Sequence, residues 1–121
     1  MTQADMWCAI ALLFFITTDY ITGVTKAIMQ GDLSSKRMRQ GLGHKFAYLI
    51  LALTAWFIDA LNMHLSLGFP VNVFTCTVSG VCLIELTSII ENITAINPEL
   101  ENASFMGIFA QNAHNPKHKG E

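Results

Sequence analysis

The chain has 121 residues, of which 52% are hydrophobic and only 13% are charged, and its formal net charge is −2. Soluble domains carry about 25% charged residues, so this composition argues against a soluble domain. It indicates instead an all-α membrane protein with three apolar stretches, at residues 6–29, 46–63 and 71–93. Each stretch is long enough, as a helix, to cross a hydrocarbon layer about 30 Å thick.

The first stretch combines an apolar half with a polar stripe. Its apolar half, residues 7–16, spans only about 15 Å as a helix, so the helix must continue to Met29. The second half has polar side chains at helical spacing on one stripe: Thr18, Asp19, Thr22, Thr25 and Lys26. No basic residue precedes the stretch, unlike in a signal peptide, so we expect it to remain in the mature protein.

A basic connection, residues 30–45, separates the first two stretches. Gly31 is predicted to end the first helix, and Ser34 or Ser35 to cap a short helix. The basic side chains that this helix would present are Lys36, Arg37 and Arg39. An excess of Lys and Arg in a short loop marks the cytoplasmic side, which predicts an N-terminus outside and a C-terminus inside.

The second stretch is the most hydrophobic, and the third is the most polar. The third has small or polar side chains every three or four residues: Thr75, Ser79, Cys82, Glu85, Ser88 and Asn92. Small residues let membrane helices approach closely, and hydroxyl groups form hydrogen bonds across the contact. We therefore expect stretches one and three to provide most contacts between subunits, and their stripes to form the element that switches between two states.

Each apolar stretch also carries a carboxylate: Asp19, Asp59 and Glu85. A charge at the centre of a membrane helix costs about 2.5–3.5 kcal/mol, so these side chains are expected to face one another or water. Counting about 1.5 Å per residue from the outer boundary places Asp19 and Glu85 in one layer. The same count places Lys26 and Glu91 together near the cytoplasmic interface. This predicts a Lys26–Glu91 contact, within or between subunits, or an exchange of partners with Glu85 and Lys45.

The C-terminal part is predicted to leave the membrane. Asn97-Pro98 is typical of a helix start, and apolar residues then recur every three positions: Leu100, Ala103, Met106 and Phe109. These features predict a transmembrane domain over residues 1–97 and a short amphipathic helix over residues 98–111, either cytoplasmic or interfacial. Residues 112–121 are predicted to be a disordered tail.

Three sequence blocks resemble a known family. They are Asp19-Tyr-Ile-Thr22-Gly23-Val-Thr-Lys26-Ala27, then Gly31-Asp-Leu-Ser34-Ser35 with Gly41-Leu-Gly-His-Lys45, and then Glu85-Leu-Thr-Ser88-Ile-Ile-Glu91-Asn92 with Pro98-Glu-Leu100. In this order they resemble the bacteriophage holin family, which also includes toxin-secretion holins of clostridia and related Bacillus proteins. The resemblance covers roughly residues 10–102, and its third block is the most specific.

The resemblance implies a lysis protein rather than an enzyme, with no catalytic residue, cofactor or metal. Holins associate as homo-oligomers in the lipid of the bacterial cytoplasmic membrane and suddenly open lesions. An endolysin, or in some members a large toxin, is then released without forming a stable complex with the holin. No nucleic acid is expected as a partner. The residues expected to line the pore or mediate assembly are Asp19, Thr22, Gly23, Lys26, Asp59, Ser79, Glu85, Ser88, Glu91 and Asn92.

Two other functions are compatible with membrane carboxylates. One is a small proton- or cation-coupled transporter, although such proteins usually contain internal repeats and this sequence has none. The other is an accessory subunit of a larger membrane complex, whose polar stripes would pair with a different chain. An adjacent gene for a cell-wall hydrolase, or sudden lysis when an endolysin is co-expressed, would favour the holin.

Overall fold

The computed structural model describes residues 2–102, and every regular element in that range is helical. Helix α1 spans Gln3–Met29, α2 spans Ser35–Leu65 and α3 spans Val73–Ile96, and a short 3-10 helix follows at Pro98–Asn102. All three long helices are apolar enough to cross a membrane, as the sequence predicts. The 3-10 helix lies at the start of the predicted tail helix. The rest of that helix and the tail at 112–121 lie outside the described residues.

The ends of α1 follow from local chemistry. Thr2 caps the first turn in a capping box: its hydroxyl accepts the Asp5 N–H, and the Asp5 carboxylate accepts the Thr2 N–H. At the other end Gly31 adopts a positive φ of 66°, which glycine tolerates without strain. The Asp32 N–H then bonds the Ala27 carbonyl at 2.8 Å, as in a Schellman-type helix end.

Helix α2 differs from the prediction because it is one continuous helix of 31 residues. Ser34 caps it by accepting the Arg37 N–H at 3.2 Å, but the helix does not stop before the apolar stretch. Gly41 and Gly43 cost only about 1 kcal/mol each in a helix interior. No proline lies between Ser34 and Leu65, and the helix ends where Ser66 adopts a left-handed conformation with a φ of 53°. The basic connection is therefore mostly the first three turns of α2.

The three helices form a bundle in which α3 is the common element. Helix α1 packs most extensively along α3, α2 packs less extensively against α3, and α1 and α2 hardly touch. The buried apolar core contains Leu12 and Ile16 of α1, Ala52 and Ala55 of α2, and Phe74, Val78 and Val81 of α3. Large apolar side chains such as Phe14, Leu53 and Leu83 are more than half exposed. An apolar exterior on three membrane-length helices describes a multi-pass membrane protein.

Candidate functional site

A charged cluster joins all three long helices through one lysine. The Lys45 ammonium of α2 donates hydrogen bonds to Asp19 Oδ2 of α1 at 2.6 Å and to Glu85 Oε2 of α3 at 2.8 Å. The side chains of Lys45 and Asp19 are 13% and 12% exposed, and that of Glu85 is 2% exposed. One nitrogen therefore bridges two carboxylates in a largely buried contact.

A hydrogen-bonded extension connects this cluster to the end of α3. The Asn92 amide nitrogen donates to Asp19 Oδ1 at 3.0 Å and to Thr22 Oγ1 at 3.1 Å. The Thr22 hydroxyl donates in turn to the Thr18 carbonyl at 2.9 Å. A Cβ placed on Gly23 would lie 3.6 Å from the Asn92 amide nitrogen, an ordinary van der Waals contact, so Gly23 lies directly beside this side chain. The sequence prediction thus named four residues that the structure brings together: Asp19, Thr22, Glu85 and Asn92.

The cluster contains one ammonium and two carboxylates, so it carries one excess negative charge when all three are ionised. The three cluster residues line a cavity of about 450 Å³, whose lining also includes Lys26, Ser88 and Glu91. Within residues 2–102 of one chain, no ion pair joins Lys26 to Glu91. Their predicted contact is therefore not made inside the single chain. A contact between copies stays a prediction.

Asp59 lies apart from the cluster and caps a helix. Its two carboxylate oxygens accept the N–H groups of Val73 and Phe74, each at 2.8 Å. Asn72 Oδ1 accepts the N–H of Thr75 at 2.8 Å. These bonds supply acceptors for the first N–H groups of α3, which have no partners inside the helix. A carboxylate at a helix N-terminus is also favoured by the helix dipole. Asp59 thus has a structural role in joining α2 to α3.

Ser79 lies outside the cluster and is exposed on α3. Six residues separate it from Glu85, which corresponds to about 120° around a helix with 3.6 residues per turn. The predicted stripe therefore divides into two parts. Glu85 and Asn92 are buried, Cys82 and Ser88 are partly buried, and Ser79 faces away.

Lys45 is the central residue that the sequence prediction left out of its candidates. The prediction treated it as the end of a loop, with the apolar helix starting after it. Counted in the structure, Asp19 lies ten residues from the end of α1, Lys45 ten from the start of α2 and Glu85 eleven from the end of α3. All three are therefore about 15 Å from the same end of the bundle. The absence of proline from residue 35 to residue 65 was the signal that would have placed Lys45 in this layer.

Comparison with known proteins identifies the family. Residues 2–103 match the family model described as the bacteriophage holin family. Neither the curated proteins nor the solved structures gave a match to this chain. The match includes all three helices and every residue of the charged cluster.

Proposed function

This chain belongs to the bacteriophage holin family, and we propose that it opens lesions in the bacterial cytoplasmic membrane at a timed moment. In this proposal the chain accumulates in the membrane and associates with further copies of itself. It then forms openings through which an endolysin leaves the cytoplasm. A large secreted toxin is the alternative cargo.

The observation that carries the proposal is the position of the charged cluster inside the apolar bundle. Lys45, Asp19 and Glu85 satisfy one another between the helices, while large apolar side chains cover the outside. A single chain in this closed arrangement can reside in lipid without an aqueous lumen, because its charges are paired internally. Copies can therefore accumulate without making the membrane permeable.

The same groups suit a second, hydrated arrangement. Water replaces the bonds around an ammonium or a carboxylate when helices separate around a lumen, so the cluster need not stay buried to be stable. The closed and open arrangements then differ by a small free energy, which is what a timed switch requires. Side-chain hydrogen bonds between membrane helices are individually modest and average about 0.6 kcal/mol in double-mutant cycles.

The distribution of charge supports the proposed orientation. Four of the seven Lys and Arg residues lie within residues 36–45, and Lys26 lies in the last turn of α1. The remaining two, at positions 117 and 119, follow α3 in the sequence. The opposite end of the bundle holds Asp5 and Asp59 but no Lys or Arg within residues 2–102. By the positive-inside rule, the N-terminus is outside and the chain after α3 is cytoplasmic.

Co-expression with a cytoplasmic endolysin that has no export signal tests the proposal. We expect normal growth followed by abrupt lysis, and no abrupt lysis when either protein is expressed alone with an inactive partner. Endolysin activity should appear in the culture medium at the moment of lysis. Gradual growth inhibition with the endolysin retained inside would contradict the proposal and favour a transporter. Lysis only with a further membrane protein would favour an accessory subunit.

A further inference from the structure

Helix α2 is attached to the bundle more weakly than α1 is. Helix α1 packs along α3 and buries Leu12 and Ile16. Helix α2 fully buries Ala52 and Ala55 and packs three partly buried side chains against the core: Tyr48, Leu49 and Trp56. Lipid is as apolar as these side chains, so burying them gives no hydrophobic driving force between helices. Attachment then depends on the extent of packing and on polar contacts, and α2 packs less extensively against α3 than α1 does.

Two polar contacts hold α2, one in each half of the bundle. Lys45 binds Asp19 and Glu85 at one end, and Asp59 binds the first N–H groups of α3 at the other. Fourteen residues separate Lys45 from Asp59, which is about 21 Å along the helix. Ala52 and Ala55 lie between these two contacts.

The two contacts differ in the covalent connection that lies next to each of them. The Asp59 contact lies next to residues 66–72, which join α2 to α3 covalently. Asn62 strengthens that connection by exchanging hydrogen bonds with the backbone of Phe69, at 3.1 and 3.3 Å. The Lys45 end is joined covalently to α1, through residues 30–34, and not to α3. Lys45 thus provides the polar contact that keeps this half of α2 on α3.

This inference rests on the proposed lysis function. We propose that α2 separates from the α1–α3 pair when the lesion opens, and that Lys45 is the positioning residue that holds α2 against this pair in the closed state. The switching contact is then the one that α2 makes, and the pair formed by stretches one and three stays together. Separation transfers Lys45, Asp19 and Glu85 from a largely buried contact to the lumen. The lumen consequently gains one cation and two anions from each chain.

A disulfide between α1 and α3 tests whether that pair must separate. Cys8 Sγ lies 4.0 Å from Thr75 Oγ1 across the two helices, so Thr75→Cys places a second sulfur within reach of the first. Cys76 and Cys82 are replaced by serine to prevent other disulfides. We expect the oxidised protein to lyse cells with the timing of its reduced form. A block of lysis by oxidation alone would overturn the proposal.

A reversible bridge between α2 and α3 tests the opposite movement. The variant carries Lys45→Cys and Glu85→Cys, and its three native cysteines are replaced by serine. A bifunctional methanethiosulfonate reagent then joins the two new cysteines through a spacer of about the length of the replaced side chains. We expect the bridge to block lysis and a membrane-permeable reductant to restore it. Lysis while the bridge is intact would overturn the proposal. The parent protein without reagent shows separately whether the proposed lysis function holds.

Single substitutions test the contribution of Lys45 itself. Lys45→Ala removes two hydrogen bonds and leaves Asp19 and Glu85 without their cation. It should lower the ratio of closed to open chains by more than the roughly threefold to twentyfold expected for a single hydrogen bond in a membrane protein, and should advance lysis. Lys45→Arg keeps the charge and both bonds and should restore the parental timing. Lys36→Ala is the matched control, because Lys36 is exposed on the same helix. Parental timing with Lys45→Ala at a normal membrane level would overturn the proposal. Where that variant fails to accumulate, the bridged pair decides.

Discussion

Glu85→Gln is the sharpest test of the charge count in the cluster. Glutamine has nearly the shape of glutamate and keeps an oxygen that can accept the Lys45 hydrogen bond, 2.8 Å long in the parent. It removes the negative charge, so the cluster then contains one ammonium, on Lys45, and one carboxylate, on Asp19. A neutral cluster is more easily kept in the closed, dry arrangement than one with an excess charge. We therefore expect this substitution to delay lysis.

The magnitude follows from two opposing terms. Removing an excess charge from the middle of a membrane helix relieves about 2.5–3.5 kcal/mol. Weakening one side-chain hydrogen bond loses at most about 1.7 kcal/mol. The first term is larger, so the closed state gains roughly 1–3 kcal/mol, a factor of about 5 to 150 in the closed-to-open ratio. Lys45 and Asp19 are each more than one tenth exposed. Water near these side chains lowers the cost of the excess charge, so we expect a factor in the lower half of that range.

The assay is the time of lysis in cells that co-express an endolysin, with the membrane level of each variant checked by immunoblot. Glu99→Gln is the matched control, because Glu99 follows α3, is exposed, and forms no ion pair within residues 2–102. Earlier lysis with Glu85→Gln at a normal level would contradict the reasoning. Unchanged timing would show that the closed cluster already holds an extra proton, so that no excess charge exists to be removed.

Three further predictions concern stability, orientation and contacts between copies. Asp59→Ala removes the acceptors of two α3 N–H groups and should lower the free energy of unfolding in detergent by about 1–2 kcal/mol. Asp32→Ala removes only a surface pair with Arg37 and should lower the free energy of unfolding little. Equal losses in the two variants would exclude the capping role. Cysteine at position 35, on a cysteine-free background, should resist an impermeant thiol reagent in intact cells and react in inverted vesicles, and labelling of intact cells would reverse the orientation. A double-mutant cycle on Lys26 and Glu91, measured on the assembled oligomer, should show coupling above about 0.6 kcal/mol, and strict additivity would remove that pair from the interface.

Much of the fold is predictable because membrane helices leave few alternatives. A backbone in lipid must satisfy its own hydrogen bonds, so three long apolar stretches imply three helices. The ends with local signals were also predictable: Gly31 has the positive φ expected of a helix end, and Ser34 caps α2. The start of the second membrane helix was not predictable from hydropathy. Charged residues near the start of α2 lower its hydropathy without ending the helix.

The sequence predicted which residues of the candidate site lie in the same layer of the bundle, but only partly which way their side chains face. Residue counting correctly placed Asp19 and Glu85 near each other, because rise per residue is the same in every helix. It named Lys45 only as an exchange partner and left it out of the pore or assembly residues, because the first turns of α2 were read as a loop. It grouped Ser79 with Glu85 because steps of three and four drift around a helix over several turns. Which side of α3 meets α1 is decided by tertiary packing, and no local pattern specifies it.

The structure also changes how subunit packing should be tested. The sequence prediction implies that leucine at Ser79 disturbs assembly more than leucine at Ala52. In the structure Ala52 is 4% exposed in the contact of α2 with α3, so Ala52→Leu overpacks a single chain and should destabilise it by about 1–3 kcal/mol. Ser79 is exposed, and no atom outside the helix backbone lies within 4 Å of a Cβ built on the adjacent Gly80.

Ser79→Leu should therefore leave the single chain intact and disturb only the approach of a neighbouring copy. The expected result is a parental melting temperature in detergent together with fewer chemically cross-linked oligomers in membranes. Ala52→Leu should show the reverse order, with a lowered melting temperature before any change in the oligomers that remain. A Ser79→Leu protein with a parental oligomer pattern would exclude this face of α3 from the subunit contact. A melting temperature lowered as far as by Ala52→Leu would mean that Ser79 packs within its own chain.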